Sequence, residues 1–143
     1  GKMKILWIDD EIDLLKPFIY LLEQEGYEVK TATSGEDGVK LANKEVFDLI
    51  FLDEIMPGVD GLEVLQKIKS ENFQQLVVMV TKSEEKSLMS QAYGGWVDDY
   101  ITKPFSFSQV LSVLNRTLKR RVIIEEKMAE DYATQFRFCK GEI

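Results

Sequence analysis

Three short segments of the chain are almost continuously apolar and rich in branched side chains. Such runs are typical of parallel β-strands that are covered by helices on both faces of a sheet. Two further segments mix or alternate apolar and polar positions, which favours strands that are less covered. The pattern therefore predicts three central strands at residues 4–8, 47–52 and 76–80, and two outer strands at residues 27–32 and 97–101.

Helical periodicity separates the predicted strands. Apolar side chains recur at intervals of three and four residues within segments 14–22, 39–42 and 62–68, as on the buried face of an amphipathic helix. A weaker fourth helix is predicted over residues 84–93, and a fifth helix after Pro104. Each helix would connect one strand to the next strand of the same sheet.

Two helix starts carry local signals. Ser34 stands directly before Gly35, Glu36 and Asp37, which predicts a helix N-cap with acidic residues in the first turn, where the helix dipole favours them. Pro17 is unfavourable inside a helix because proline has no backbone N–H. It predicts either a kink in the first helix or a helix that begins only a few residues earlier.

Strands that alternate with helices form right-handed βαβ units, which build a parallel sheet between two layers of helices. The predicted fold class is therefore α/β, with a five-stranded parallel sheet flanked by five helices. In such sheets the functional site forms in the loops at the carboxyl ends of the strands. The sequence places chemically active residues at four of these ends: Asp9, Asp10, Glu11, Asp53, Thr81, Lys103 and Pro104.

Composition and charge exclude several function classes. A length of 143 residues fits one domain with an appendage. Lys and Arg number 18 against 25 Asp and Glu, a net charge of −7, which argues against direct binding to nucleic acid or to an anionic membrane. No apolar run approaches the roughly 20 residues that a membrane-spanning helix needs.

Histidine is absent from the sequence. Its absence excludes Ser-His-Asp and Cys-His nucleophile systems and a histidine general base. The single cysteine, Cys139, cannot form an internal disulfide, and the N-terminus shows no secretion signal. We therefore expect a cytoplasmic protein whose chemistry depends on carboxylates, hydroxyls and lysines.

The carboxylates at adjacent strand ends need a compensating positive charge. At an effective dielectric constant near 20, two like charges about 4 Å apart repel by about 4 kcal/mol. Mg²⁺ prefers oxygen ligands, so it suits Asp10 and Asp53 together with a backbone carbonyl of the following loop. Lys103 adds a fixed positive charge and Thr81 a hydroxyl donor. A carboxylate in this environment is suited to accept a phosphoryl group, and Asp53 is the predicted nucleophile.

These separated motifs, in this order, make residues 3–120 similar to the receiver domain of two-component response regulators, the CheY-like family. The resemblance implies a flavodoxin-like parallel sheet with the strand order 2-1-3-4-5. It also implies a signalling switch that accepts a phosphoryl group on Asp53 from a partner sensor histidine kinase, with Mg²⁺ as cofactor. Such a domain assists its own phosphorylation and dephosphorylation and is not otherwise an enzyme.

The resemblance assigns the metal and phosphoryl ligands. Asp10 and Asp53 would bind Mg²⁺ directly, Ile55 would lend its backbone carbonyl, and Asp9 would act through a water molecule. Lys103 would pair with the phosphoryl group on Asp53.

The resemblance also assigns a conformational switch. Thr81 would move its hydroxyl to the phosphoryl group, and Tyr100 would be the aromatic residue that follows this movement. The peptide bond before Pro104 would be cis. The face formed by the fourth helix, the fifth strand and the fifth helix would then change shape and control an output domain or a homodimer.

Three alternative interpretations agree less well with the sequence. A haloacid dehalogenase-type phosphatase would need a second aspartate two residues after the nucleophile, where Ile55 stands. A flavin-binding fold would need a hydroxyl- and glycine-rich loop after the first strand instead of the acidic segment. A receiver-like interaction module that works without phosphorylation would be expected to lack Asp10, Asp53 or Lys103, and the sequence retains all three.

Lys82 departs from the pattern of the family, which usually has a small residue directly after the switch hydroxyl. A lysine here could screen the phosphoryl group from attacking water or from a phosphatase. The sequence therefore predicts a slower or altered phosphoryl turnover, with Lys82 as the modulating residue.

The C-terminal segment, residues 121–143, continues the helical pattern, with Met128, Tyr132 and Phe136 four residues apart. This apolar stripe must pack on another surface. We expect it to be the start of a following helical domain, with the output domain missing from this chain. Together with the segments around Asp9 and Lys82, it is similar to the type IX secretion regulators of Bacteroidota, in which a helical bundle joins the receiver to a PglZ output domain.

Overall fold

The computed structural model describes residues 1–56, 58–82 and 95–141. Its strands are β1 (Lys4–Ile8), β2 (Glu28–Ala32), β3 (Leu49–Asp53), β4 (Ile55–Met56), β5 (Val59–Asp60), β6 (Val77–Thr81) and β7 (Asp99–Thr102). Its helices are α1 (Lys16–Gln24), α2 (Gly35–Lys44), α3 (Gly61–Glu71) and a long C-terminal helix (Phe107–Cys139). The fourth helix predicted over residues 84–93 lies outside the described residues.

Five parallel strands form the main sheet in the order β2-β1-β3-β6-β7. With the main-sheet strands numbered along the chain, this is the predicted order 2-1-3-4-5, and the α/β fold class is confirmed. The prediction missed the two-residue strands β4 and β5, which pair antiparallel as a hairpin just after Asp53. The strands predicted to be central are fully buried apart from the first residue of β1.

The sheet lies between two helix layers. Successive side chains of a strand point to opposite faces, so each buried strand supplies both apolar cores. One core contains residues of α1 and the C-terminal helix, and the other contains residues of α2 and α3. We call these two sides of the sheet the α1 face and the α3 face. Phe51 of β3 belongs to the α1 face and Leu52 to the α3 face.

An aromatic stack on the α1 face connects the middle of the sheet to the loop after β7. The Trp7 ring lies 4.4 Å from the Phe51 ring and 6.0 Å from the Phe105 ring. Phe105 in turn contacts Phe18 of α1, with 5.1 Å between ring centroids. The stack therefore fixes the segment that follows Lys103 against the core.

Local sequence signals place the helix starts. The Ser34 hydroxyl accepts a hydrogen bond from the Asp37 N–H at 3.1 Å, which confirms the predicted N-cap. A short 3₁₀ turn, Ile12–Leu15, precedes α1, so Pro17 falls in the first turn of the helix, where a missing N–H costs no hydrogen bond. The later helix start removes the need for a kink.

The third strand begins later than predicted, at Leu49 instead of residue 47. The Asp48 carboxylate accepts a hydrogen bond from the Lys4 N–H at 2.7 Å. This N–H is therefore not available to a backbone carbonyl of the third strand. Phe47 is buried before the strand starts.

Asp99 joins the edge strand β7 to the C-terminal helix. Its carboxylate accepts two hydrogen bonds from Arg116, at 2.7 and 3.0 Å, and one from Arg120 at 2.9 Å. Burial alone would raise the pKa of Asp99, but the hydrogen bonds from Arg116, the Tyr100 N–H and Arg120 outweigh it and lower the pKa. The start of β7 and the helix are thereby held together.

The C-terminal helix continues without a break past residue 120 to Cys139. Its apolar side chains become exposed from Val122 onward, and Met128, Tyr132 and Phe136 are exposed by 65%, 72% and 53%. This exposed apolar stripe is not covered by the described part of the chain. None of the described helices combines the length and the apolar content that crossing a bilayer requires.

Candidate functional site

Three aspartates meet at the carboxyl ends of β1 and β3. Asp9 and Asp10 follow β1, Asp53 ends β3, and these two strands are neighbours in the sheet. One carboxylate oxygen from each residue lies within 4.8 Å of the others. Asp9 and Asp53 are only 1% and 4% exposed. The structure thus brings together the carboxylates that the sequence placed at these strand ends.

Lys103 brings a positive charge to the cluster from the end of β7. Its Nζ atom lies 3.4 Å from Asp9 Oδ2 and 3.5 Å from Asp53 Oδ2. Burial would lower the pKa of Lys103, but the charges of Asp53 and Asp9 outweigh it and raise the pKa. The ammonium is therefore retained at neutral pH and contacts two of the three carboxylates.

The Asp53 carboxyl has an unusually high pKa of about 6. Burial is the main cause, followed by the charge of Asp9, while Lys103 and the Ile55 N–H act in the opposite direction. That N–H donates to Asp53 Oδ1 at 3.3 Å, and the Glu11 N–H donates to Asp9 Oδ1 at 2.8 Å. These backbone donors fix the orientation of both carboxylates.

The donor set fits a hard divalent cation. The ligand atoms are carboxylate oxygens, they lie within 4.8 Å of one another, and the negative charge exceeds the positive charge of Lys103. Mg²⁺ prefers such oxygen ligands and retains several water molecules. Asp10, the most exposed of the three aspartates, leaves room for those waters.

The cluster opens into a cavity of about 710 Å³. Lys82 and Ile55 line the same cavity, and the Ile55 side chain is 57% exposed. Apolar side chains, among them Phe18 and Phe105, form much of the remaining wall. The site therefore combines an acidic floor with a largely apolar entrance.

Thr81 and Tyr100, the predicted switch residues, lie on the other side of the sheet. Asp53 pairs with Val80 on the α1 face, so Thr81, the next residue along, points to the α3 face. Tyr100 is half-buried and packs against the core of the α3 face. Burial, and then the charges of Glu54 and Asp99, raise the pKa of Tyr100.

Glu54 is a site residue that sequence reasoning missed. Its carboxylate accepts a hydrogen bond from the Thr81 hydroxyl. The signal was present in the strand alternation, because the residue after Asp53 must point to the same face as the residue after Val80. The sequence does not show, however, that the two side chains bond to each other.

Two backbone features shape the edge of the site. The Lys103–Pro104 peptide bond is cis, as the family resemblance implied. At Gly61 an added Cβ would lie 3.0 Å from the Glu54 carbonyl oxygen. A glycine at this position therefore allows the β4–β5 hairpin and the start of α3 to approach the turn that follows Asp53.

The fold and the site define a class of proteins: α/β signalling domains whose acidic cluster and lysine lie at the carboxyl edge of a parallel sheet. The model of the response regulator receiver domain family matches residues 5–115. The chain belongs to this family, as its resemblance indicated.

Curated relatives are transcriptional regulators and response regulators. The chain is 37% identical over 120 residues to the alkaline phosphatase synthesis transcriptional regulatory protein PhoP of Bacillus subtilis, covering 84% of this chain and 50% of that protein. It is 33% identical over 119 residues to the response regulator ArlR of Staphylococcus aureus, covering 82% of this chain and 53% of that protein. The chain thus spans about half the length of these relatives.

Solved receiver structures share the fold. The chemotaxis response regulator CheY4 of Vibrio cholerae superposes with a TM-score of 0.72 at 30% identity, covering 82% of this chain and 99% of that one. NtrX of Brucella abortus superposes with a TM-score of 0.79 at 28% identity, covering 90% of this chain and 29% of that one.

Proposed function

We propose that this receiver domain is a phosphorylation-dependent switch of a two-component system, which accepts a phosphoryl group on Asp53 from a partner histidine kinase in the cytoplasm. The observation that carries the proposal is the contact of the Lys103 ammonium with the carboxylates of both Asp53 and Asp9, in a cavity that all three residues line. A carboxylate in this position can reach a phosphoryl donor and has a cation beside it.

The transfer needs few groups. A carboxylate oxygen of Asp53 forms a bond to phosphorus while the bond between phosphorus and the imidazole nitrogen of the kinase's phosphohistidine breaks. The electron pair of that bond stays on the imidazole, which leaves with the kinase. Lys103 neutralises charge on the phosphoryl oxygens, and positioning and neutralisation account for most of the catalysis in such transfers. Mg²⁺, when bound, supplies further charge neutralisation. It would be held by Asp10, Asp53 and the Ile55 carbonyl, with Asp9 acting through water.

Phosphorylation would then act on the switch residues. A phosphoryl group brings a charge of about −1.5 to −2 and three acceptor oxygens. Thr81 and Lys103 would bind these oxygens, and Tyr100 would follow Thr81. The shape of the face around β7 and the C-terminal helix would change and control an output domain or a homodimer. Couplings of about 1 to 3 kcal/mol are typical of such transitions.

The exposed apolar stripe of the C-terminal helix supports an interaction with a further domain. A contiguous apolar surface of this kind marks an interaction site. On the resemblance to the type IX secretion regulators, we place residues 121–143 at the junction with a helical domain that precedes the output domain.

Incubation with acetyl phosphate and Mg²⁺ should add the mass of one phosphoryl group to the chain, because Asp53 lines the cavity beside Lys103. Intact-mass spectrometry measures the gain. Asp13→Ala, at a side chain that is 83% exposed, is the matched control and should gain the same mass. Asp53→Ala should gain none, and a persistent gain there would refute the site. An unmodified wild-type chain would favour a phosphorylation-independent interaction module.

Lys82→Ala should increase the rate of Asp53 dephosphorylation about threefold to tenfold. Lys82 lines the site cavity, and an interaction of about 1 kcal/mol between its ammonium and the phosphoryl group would correspond to roughly a fivefold change in rate. Loss of phosphoryl from the isolated phosphorylated chain measures the effect. Lys40→Ala, an exposed lysine of α2, serves as control. An unchanged rate in Lys82→Ala would contradict the modulating role.

A further inference from the structure

The strand register places Glu54 beside Thr81. Asp53 pairs with Val80, and the Glu54 N–H donates to the Val80 carbonyl at 2.9 Å, which extends the ladder between β3 and β6 by one residue. Because side chains alternate between faces, Glu54 and Thr81 point to the α3 face and Asp53 to the α1 face. The phosphoacceptor and the switch hydroxyl thus lie on opposite sides of the sheet.

The Thr81 hydroxyl donates a hydrogen bond to the Glu54 carboxylate. Thr81 is 1% exposed, and Glu54 is partly buried. Hydrogen bonds from a hydroxyl to an ionised carboxylate are roughly twice as strong as those between neutral groups. A buried hydroxyl that donates to a carboxylate has a defined orientation. The hydrogen bond must break before the hydroxyl can donate to another acceptor.

Glu54 also acts electrostatically on Tyr100, the second predicted switch residue. Its charge contributes to the raised pKa of the Tyr100 hydroxyl, and Tyr100 and Thr81 lie on the same face of neighbouring strands. One carboxylate therefore acts on both side chains that would respond to phosphorylation.

We propose that Glu54 is a positioning residue that holds the Thr81 hydroxyl away from the phosphoryl site in the unphosphorylated domain. A hydroxyl has one proton, so a phosphoryl oxygen must displace Glu54 to receive it. The residue next to the phosphoacceptor then sets the threshold of the switch. This inference rests on the proposed phosphorylation of Asp53. It adds that the Glu54 carboxylate competes with the phosphoryl group for the hydrogen bond of the Thr81 hydroxyl.

The binding of beryllofluoride with Mg²⁺, measured by isothermal titration calorimetry, tests the proposal. If the domain with Thr81 bonded to Glu54 is about tenfold more populated than the domain with this bond broken, removal of the bond should tighten the binding of beryllofluoride about tenfold. We expect Glu54→Ala to bind about tenfold more tightly than the wild-type chain, and Glu54→Gln, which keeps a weaker acceptor, about threefold more tightly. Glu63→Ala, at an exposed acid of α3, should bind like the wild-type chain.

A double-mutant cycle with Thr81→Ala separates positioning from simple charge repulsion. If Glu54 acts through the hydroxyl, Glu54→Ala should change the affinity for beryllofluoride less than twofold in the Thr81→Ala background. In the Thr81→Ser background, which keeps a hydroxyl, Glu54→Ala should again tighten binding about tenfold. A tenfold gain that persists without the hydroxyl would overturn the proposal, as would unchanged affinity in both Glu54 variants.

Binding of beryllofluoride by the wild-type chain separates the role of Glu54 from the phosphorylation of Asp53. A wild-type chain that binds beryllofluoride while the cycle shows no coupling would refute only the role of Glu54. A chain that does not bind beryllofluoride would overturn the phosphorylation of Asp53 as well. Glu54→Gln retains the size of the side chain, so it keeps the test valid if Glu54→Ala unfolds.

Discussion

Asp53→Asn is expected to raise the free energy of unfolding by about 2 to 3 kcal/mol at pH 7.5 without divalent cations. The wild-type carboxylate is 4% exposed and faces the charge of Asp9, and its pKa is raised to about 6. A pKa that is higher by one in the folded than in the unfolded state corresponds to about 1.4 kcal/mol in the free energy of unfolding. Asparagine removes the charge while its oxygen can still accept the hydrogen bond from the Ile55 N–H.

The effect of Asp53 on stability depends on pH. The pKa in the folded domain lies above that of an unfolded aspartate, which is about 4. The favourable contribution is therefore complete below about pH 4 and is lost as the pH rises through about 6. Wild-type stability should fall relative to Asp53→Asn over this interval, and addition of Mg²⁺ should recover it, because a ligand of the folded state stabilises it.

Urea unfolding between pH 4.5 and 8, followed by circular dichroism with and without Mg²⁺, measures this difference. Asp13→Asn is the matched control, because the Asp13 side chain is 83% exposed, and its effect should stay within about 0.5 kcal/mol. If the free energy of unfolding changes with pH in the same way for the wild-type chain and Asp53→Asn, the charge of Asp53 does not destabilise the folded domain.

Lys103→Ala is expected to slow phosphorylation by acetyl phosphate about 100-fold. The ammonium lies 3.4 to 3.5 Å from the carboxylates of Asp9 and Asp53, where charge develops on the transferred group. In enzymes, removal of one such preorganised donor costs about 10²- to 10³-fold in rate. The Asp53 pKa should also rise further, since Lys103 acts to lower it.

A pH–rate profile with acetyl phosphate measures both effects of Lys103→Ala. The rate at the plateau should fall, and the midpoint of the rise should move to higher pH. Lys67→Ala, an exposed lysine of α3 that pairs with Glu63, is the control and should leave both quantities unchanged. A Lys103→Ala variant with the wild-type plateau would exclude the lysine from phosphoryl transfer.

The carboxylate cluster could be predicted because it depends on topology. Asp9 and Asp53 follow apolar runs that form neighbouring parallel strands, and Lys103 follows the last strand. Parallel strands end at one edge of a sheet, so residues that are distant in the sequence meet there without detailed packing information. The excess of negative charge that would favour a bound cation follows directly from this placement.

Other features could not be predicted, because they depend on where individual side chains settle. The β4–β5 hairpin has only two residues in each strand, too few for a periodic signal. The hydrogen bonds from Arg116 and Arg120 to the Asp99 carboxylate join the third and fourth turns of the C-terminal helix to the start of β7. The bond between Thr81 and Glu54 connects residues 27 positions apart.

Hydrophobic periodicity and strand-end chemistry, which are properties of the sequence, determined the α/β class, the strand order through family resemblance, and the candidates Asp9, Asp10, Asp53 and Lys103. Only the tertiary structure decided that the Asp53 carboxyl is buried enough to have a pKa of about 6, and that the Thr81 hydroxyl is bonded to Glu54. Burial and hydrogen-bond choice depend on the positions of all neighbouring atoms, which local sequence patterns do not contain.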